Sequence, residues 1–149
     1  MVTEYQVPTK YMTYDIISKR VYKKNLTVKE PDDVFKFLKS RYGKCRQEHF
    51  FVISLNSNHD IIGINISTIG ITNRTIVHPR EIFYHLIKNN STSFIVSHNH
   101  TSGNLFVSPE DKDVTNTIKE TSKIMGFNFL DHIIFNKNYY LSMKKEGYF

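Results

Sequence analysis

The chain contains no tryptophan and a single cysteine, Cys45, among its 149 residues. One cysteine excludes an internal disulfide and suits a reducing compartment. It also excludes zinc chemistry that needs a cysteine pair, as the zinc deaminases do. Glycine and proline are sparse, at 6 and 4 residues, and there are no internal repeats or low-complexity tracts. No apolar run approaches bilayer length, and residues 1–13 are polar and aromatic with no apolar targeting core. The expectation is a soluble, cytoplasmic protein with no membrane partner. With 40% apolar residues, the length suits one domain over residues 1–149, with 1–13 as a flexible lead-in.

An excess of acidic residues is lacking as well. Net charge is +6 and unevenly placed, because residues 1–47 carry 11 Lys and Arg against 5 Asp and Glu, whereas residues 48–149 carry 9 of each. The densest part holds Lys19, Arg20, Lys23 and Lys24. Such a flank suits a phosphate backbone or an acidic partner. The plainer alternative is a solvated strand edge, where lysines discourage edge-to-edge pairing. No alternation of aromatic and basic residues forms a stacking platform, which favours the plainer alternative. Nucleic-acid contact through this segment is a secondary expectation.

What is present is a series of short apolar segments. Residues 14–22 suit an early strand. Pro31, Asp32 and Asp33 then open a helix that carries Val34, Phe35, Leu38 and Tyr42 at helical spacing and stops at Gly43. Residues 50–55 and 61–71, rich in β-branched residues and separated by a polar turn, read as a hairpin of two central strands. A second helix over 79–89 is expected to bury Ile82, Phe83, Leu86 and Ile87. A short strand at 93–96 follows. The longest helix, 109–125, closes at Gly126 with Val114, Ile118 and Ile124 on its apolar side. Two last strands, 127–135 and 139–143, should pair. A mixed sheet with helices on its faces is the natural way to bury these elements, giving an α/β fold.

Chemistry concentrates in residues 97–111, SHNHTSGNLFVSPED. His98 and His100 lie where the 93–96 strand runs out, and side chains two apart in extended backbone project to one side. Asp111 falls in the first turn of the helix that Pro109 opens. Two imidazole nitrogens and one carboxylate are a donor set that suits zinc with one position open. Each part has a plainer explanation, since Ser108 with Asp111 also spells a helix capping box and a lone histidine is more often a hydrogen-bonded residue than a ligand. Their coincidence favours a metal. The contiguous letters H-N-H carry no weight, because the nuclease motif of that name is dispersed. Amidohydrolase barrels need about 250 residues, and metallo-β-lactamase-like sites continue with Asp-His where this chain has Thr101 and Ser102.

The stretch resembles the JAMM motif of the MPN (JAB-type) metalloproteases, in which an upstream Glu is followed by His-x-His, seven residues, Ser, two residues and Asp. His98, His100, Ser108 and Asp111 take the fixed places, and Glu48 takes the glutamate's. Within that superfamily the chain is most similar to the bacterial RadC proteins. That likeness rests on Glu48-His49-Phe50 before a strand, His78-Pro79-Arg80-Glu81 before a helix, the His98 to Gly103 loop, and Leu130-Asp131-His132-Ile133-Ile134. It departs at Thr101 and Asn104, where the family usually has Pro and often Asp, which implies a less rigid loop. The helix-hairpin-helix of longer RadC proteins is not expected here.

The resemblance implies a single three-layer domain of cytidine-deaminase-like architecture and one catalytic zinc on His98, His100 and Asp111. Zinc lowers the pKa of a bound water from about 15.7 to about 7. By the same resemblance Glu48 is the general base and Ser108 the oxyanion donor, and the reaction is hydrolysis of a peptide or isopeptide amide in a peptide or protein substrate. On sequence alone Glu48 reads as a strand-end carboxylate paired with a lysine. Asp131 and His132 are expected either to support the ligands or to form a satisfied core pair. His49, His59, His78 and His85 default to surface or turn roles, with His49 turned away from Glu48. The alternative function is a DNA-repair-associated binding module whose metal is mainly structural.

Overall fold

Pro31 sets the backbone for the first turn of α1 (Pro31–Tyr42). Asp33 closes that turn by accepting the backbone N–H groups of Lys29 at 2.9 Å and Glu30 at 3.1 Å. The computed structural model describes residues 26–70 and 77–149, so the strand expected over 14–22 lies outside the described residues. The helix stops at Tyr42, but Gly43 stays right-handed (φ −61°) and its N–H still reaches the Lys39 carbonyl. Glycine is required there for space, since a Cβ would sit 2.7 Å from that carbonyl oxygen.

The sheet contains β1 (Glu48–Leu55), β2 (Ile61–Gly70), β3 (Ser93–Asn99), β4 (Asn128–Phe135) and β5 (Tyr140–Ser142), in the order β2-β1-β3-β4-β5. β3 and β4 run parallel, and the other neighbours are antiparallel. A parallel pair needs a long crossover; here α3 (Pro109–Met125) supplies it. The hairpin forms as expected, but its strands are not both central: β1 is internal, whereas β2 is outermost among the described strands. The core residues Ile61, Ile64 and Ile66 explain the misreading, because a covered edge strand is as β-branched as an interior one.

Alternation along β1 sends successive side chains into two cores. Phe51, Ile53 and Leu55 pack with Phe35 and Leu38 of α1. Phe50 and Val52 pack on the opposite face with Ile82, Phe83 and Leu86 of α2 (Pro79–Lys88) and Ile118 of α3. The result is a three-layer α/β/α arrangement, as expected. Full burial of one such aliphatic or aromatic side chain stabilises by about 1.5–3 kcal/mol.

Three expectations about the helices are corrected. Ile87 is 56% exposed and Ile124 85% exposed, whereas His85 is 3% exposed and lies inside. The buried stripe of α2 runs through Ile82, His85 and Leu86, and one further residue turns Ile87 by about 100° toward solvent. On α3 the buried stripe is Thr115, Ile118 and Ser122, two of them polar, so hydrophobicity alone pointed to the wrong face.

Candidate metal centre

β3 carries His98 to the sheet end, where the ladder pairs it with Phe50 of β1 and Ile134 of β4. The Phe50 ring stacks on the His98 imidazole at 6.2 Å between centroids and 10° between planes. Beyond β3 the chain bends, and the His100 N–H donates to the Phe135 carbonyl at 2.8 Å. Gly103, at φ 84°, allows the turn, and Asn136 holds the Gly103 carbonyl at 2.8 Å. The loop therefore has anchors of its own despite Thr101.

α3 then delivers Asp111. Ser108 is the N-cap, accepting the Asp111 N–H at 3.1 Å, while Asp111 Oδ2 accepts the Ser108 N–H at 2.9 Å. This is the capping box, yet it does not use up the carboxylate. Asp111 Oδ1 lies 3.2 Å from His98 Nε2, and Oδ2 lies 3.8 Å from His100 Nε2. The two readings of Asp111 are compatible, because the cap engages Oδ2 and leaves Oδ1 facing His98. Ser108 Oγ uses a lone pair in the cap, leaving its hydroxyl hydrogen free to donate.

His98 Nε2 and His100 Nε2 are 2.8 Å apart, and one donor atom from each of His98, His100 and Asp111 lies within 4.8 Å of the others. Bond lengths of about 2.0–2.1 Å on a tetrahedral zinc imply donor separations of about 3.3 Å; the two imidazole nitrogens are 2.8 Å apart and Asp111 Oδ1 is 3.2 Å from that of His98. Proton placement agrees. His100 Nδ1 faces the Asn104 carbonyl at 3.2 Å, and a carbonyl only accepts, so the ring's hydrogen belongs on Nδ1 and Nε2 presents a lone pair. The chemistry of this donor set fits a divalent cation.

Electrostatics favour the ligand forms. Burial lowers the His100 pKa, as does the neighbouring His98, while Asp111 pulls it up. Burial, followed by the charge of His98, drives His132 well below the ordinary histidine value. For Asp111 burial pushes the carboxyl up, but the adjoining His98 and the hydrogen bonds of Ser108 outweigh it and hold it well below the carboxylate range.

Glu48 begins β1, half-buried. It lies two residues before Phe50, the partner of His98 in the ladder, and its negative charge raises the His100 pKa. It has no ion pair among the described residues. His49 faces the other side, stacked on Phe51 at 5.9 Å and 18°. Asp131 and His132 separate. Asp131 binds Ser142 Oγ and the Lys144 N–H on one face, whereas His132 Nε2 lies 2.8 Å from His98 Nδ1 on the other.

Two contributors escaped the sequence reading. Asn99 accepts the His49 N–H and donates to the Gln47 carbonyl. Thr115 sits 2.6 Å from His132 Nδ1. A cavity of about 290 Å³ opens beside His100, lined in part by Tyr42, Cys45, Thr101, Asn136 and Lys137. Burial pushes the Cys45 thiol up, away from the nucleophilic thiolate.

The chain belongs to the RadC-like JAB domain family, which it matches over residues 28–148. It is 42% identical over 122 residues to a UPF0758 protein of Clostridium tetani, covering 82% of this chain and 54% of that one. A UPF0758 protein of Alkaliphilus metalliredigens is 40% identical over 120 residues, 80% and 52% of the two chains. The UPF0758 protein GWCH70_2550 of a Geobacillus species is 38% identical over 132 residues, 89% and 58% of the two chains. The chain thus spans about half the length of the curated relatives it matches. No described helix is long and apolar enough to cross a membrane.

Proposed function

We propose that the protein is a zinc-dependent hydrolase of the JAMM type that cleaves a peptide or isopeptide amide. The observation that carries this reading is the convergence of one donor atom each from His98, His100 and Asp111 within 4.8 Å of one another, with the charge of Glu48 acting on His100. His98, His100 and Asp111 hold the ion, which when bound supplies a Lewis acid and an acidified water. Glu48 removes a proton from the attacking water and returns it to the leaving amine. The Ser108 hydroxyl donates to the developing oxyanion.

The test is zinc-dependent cleavage of a mixed library of quenched fluorescent peptides by the wild type, Glu48→Gln and Ser108→Ala. Loss of at least about 100-fold in Glu48→Gln with metal retained supports the assignment; equal activity in both proteins contradicts it. A second reading, nucleic-acid binding with a structural metal, rests on the charge imbalance of residues 1–47. Its mark is duplex binding that weakens steeply with salt and survives Glu48→Gln.

A further inference from the structure

His98 Nε2 faces Asp111 Oδ1 at 3.2 Å and His100 Nε2 at 2.8 Å, so it either donates a hydrogen to the carboxylate or offers a lone pair to a cation, and what Nδ1 does on the other side decides which. A free neutral imidazole carries its hydrogen on either nitrogen. Behind His98, away from the open side, runs a chain of contacts with no exposed member. His98 Nδ1 is 2.8 Å from His132 Nε2, His132 Nδ1 is 2.6 Å from Thr115 Oγ1, and Thr115 Oγ1 is 2.6 Å from the Asp111 carbonyl oxygen. His132 and Thr115 are 0% and 1% exposed.

The hydrogens can be assigned from the far end. A carbonyl oxygen only accepts, so the short contact with Asp111 takes the single hydroxyl hydrogen of Thr115. That hydroxyl then meets His132 Nδ1 with a lone pair, which requires the hydrogen of the His132 ring on Nδ1. His132 Nε2 is therefore an acceptor, and His98 Nδ1 must donate to it. One neutral ring has one hydrogen, so His98 Nε2 is left bare. Met143 Sδ, at 3.4 Å from Thr115 Oγ1, is a weak acceptor and does not compete with the carbonyl.

We infer that Thr115 and His132 are positioning residues that fix the tautomer of His98, presenting Nε2 as a lone pair before any metal arrives. The relay leaves one ligand, His98, and ends on the backbone of another, Asp111, so the same contacts tie β3, β4 and α3 at the site. The inference rests on the metal reading above for its purpose, but the tautomer itself is measurable without metal.

The experiment compares wild type, Thr115→Val, which removes the hydroxyl at nearly constant volume, and Thr115→Ser, which restores it. Long-range proton–nitrogen NMR of the metal-free proteins at about pH 8.5, above the histidine range, reads which His98 nitrogen carries hydrogen. Zinc affinity is read by competition with a chelator. The wild type should show His98 protonated on Nδ1. In Thr115→Val the Nε2–H form should appear and zinc affinity should fall by about 10- to 100-fold, as is usual when a ligand's hydrogen-bonding support is lost. Thr115→Ser should restore both. Wild-type His98 protonated on Nε2 overturns the inference whether or not the valine variant folds. So does a folded Thr115→Val protein that binds zinc within about twofold of wild type. A Thr115-dependent Nδ1–H tautomer in a protein that takes up no zinc upholds the relay and defeats the metal reading alone.

Discussion

Asn99 holds the backbone on both sides of Glu48: its Oδ1 accepts the His49 N–H at 2.7 Å and its Nδ2 donates to the Gln47 carbonyl at 2.9 Å. The residue between the two metal-directed histidines therefore aims the proposed base. Removing the side chain unpairs two backbone groups next to Glu48. Asn99→Ala should cost about 1–3 kcal/mol of stability and lower turnover more than metal content. Asn99→Asp keeps the acceptor and loses the donor, so it should fall between. Turnover that tracks metal loss alone in both variants contradicts this role.

Asp111 serves two purposes that substitution can separate. Asn at this position keeps an oxygen for the Ser108 N–H but loses the charge, whereas Ala loses both. Asp111→Asn should lose zinc binding with the helix start largely intact. Asp111→Ala should in addition destabilise the metal-free protein by about 1 kcal/mol, the usual worth of a cap. Chelator competition and denaturant unfolding of metal-free protein read the two effects, and equal stability of the two variants contradicts the cap.

Stability of the metal-free protein should depend on pH with a defined sign. His132 is fully buried, and burial with the nearby His98 holds its pKa below the ordinary value. Unfolding lets it take up a proton, so its contribution is complete above about pH 6.5 and is lost as pH falls, by up to about 1.4 kcal/mol per pH unit. Asp111 acts in a lower window. Its depressed folded pKa makes its contribution present above about pH 4 and lost as acid approaches the folded value. Denaturant midpoints should be flat above about pH 7 and decline below about pH 6; a rise on acidification contradicts the assignment.

The exposed isoleucines give a contrast. Ile87→Lys and Ile124→Lys should change stability by no more than about 0.5 kcal/mol, whereas Ile82→Ala and Ile118→Ala, at 0% and 1% exposure, should each cost about 2–5 kcal/mol. Comparable losses in both pairs contradict the orientation of the helices.

These positions also mark what could be read from the chain. Both ends of α3 were legible, because Ser108-Pro109 and Gly126 are local signals, and the observed span is Pro109–Met125 with Gly126 left-handed. The gathering of His98, His100 and Asp111 was legible from spacing and resemblance. Which face of each helix is buried was not, since Thr115 and Ser122 are interior polar residues and Ile124 is not interior. The partners of Asn99, Thr115 and His132 stayed hidden for another reason. Asn99 meets Gln47 across 52 positions and Thr115 meets His132 across 17, and such contacts depend on strand order, which no local pattern carries.

The most direct measurement is elemental analysis of protein purified without added metal or chelator, beside a His98→Ala, His100→Ala double variant. About one zinc per chain in the wild type, absent from the variant, is the expected result for a site of three protein ligands. A folded wild-type protein that carries no metal and takes up none on titration with zinc would contradict the metallohydrolase account.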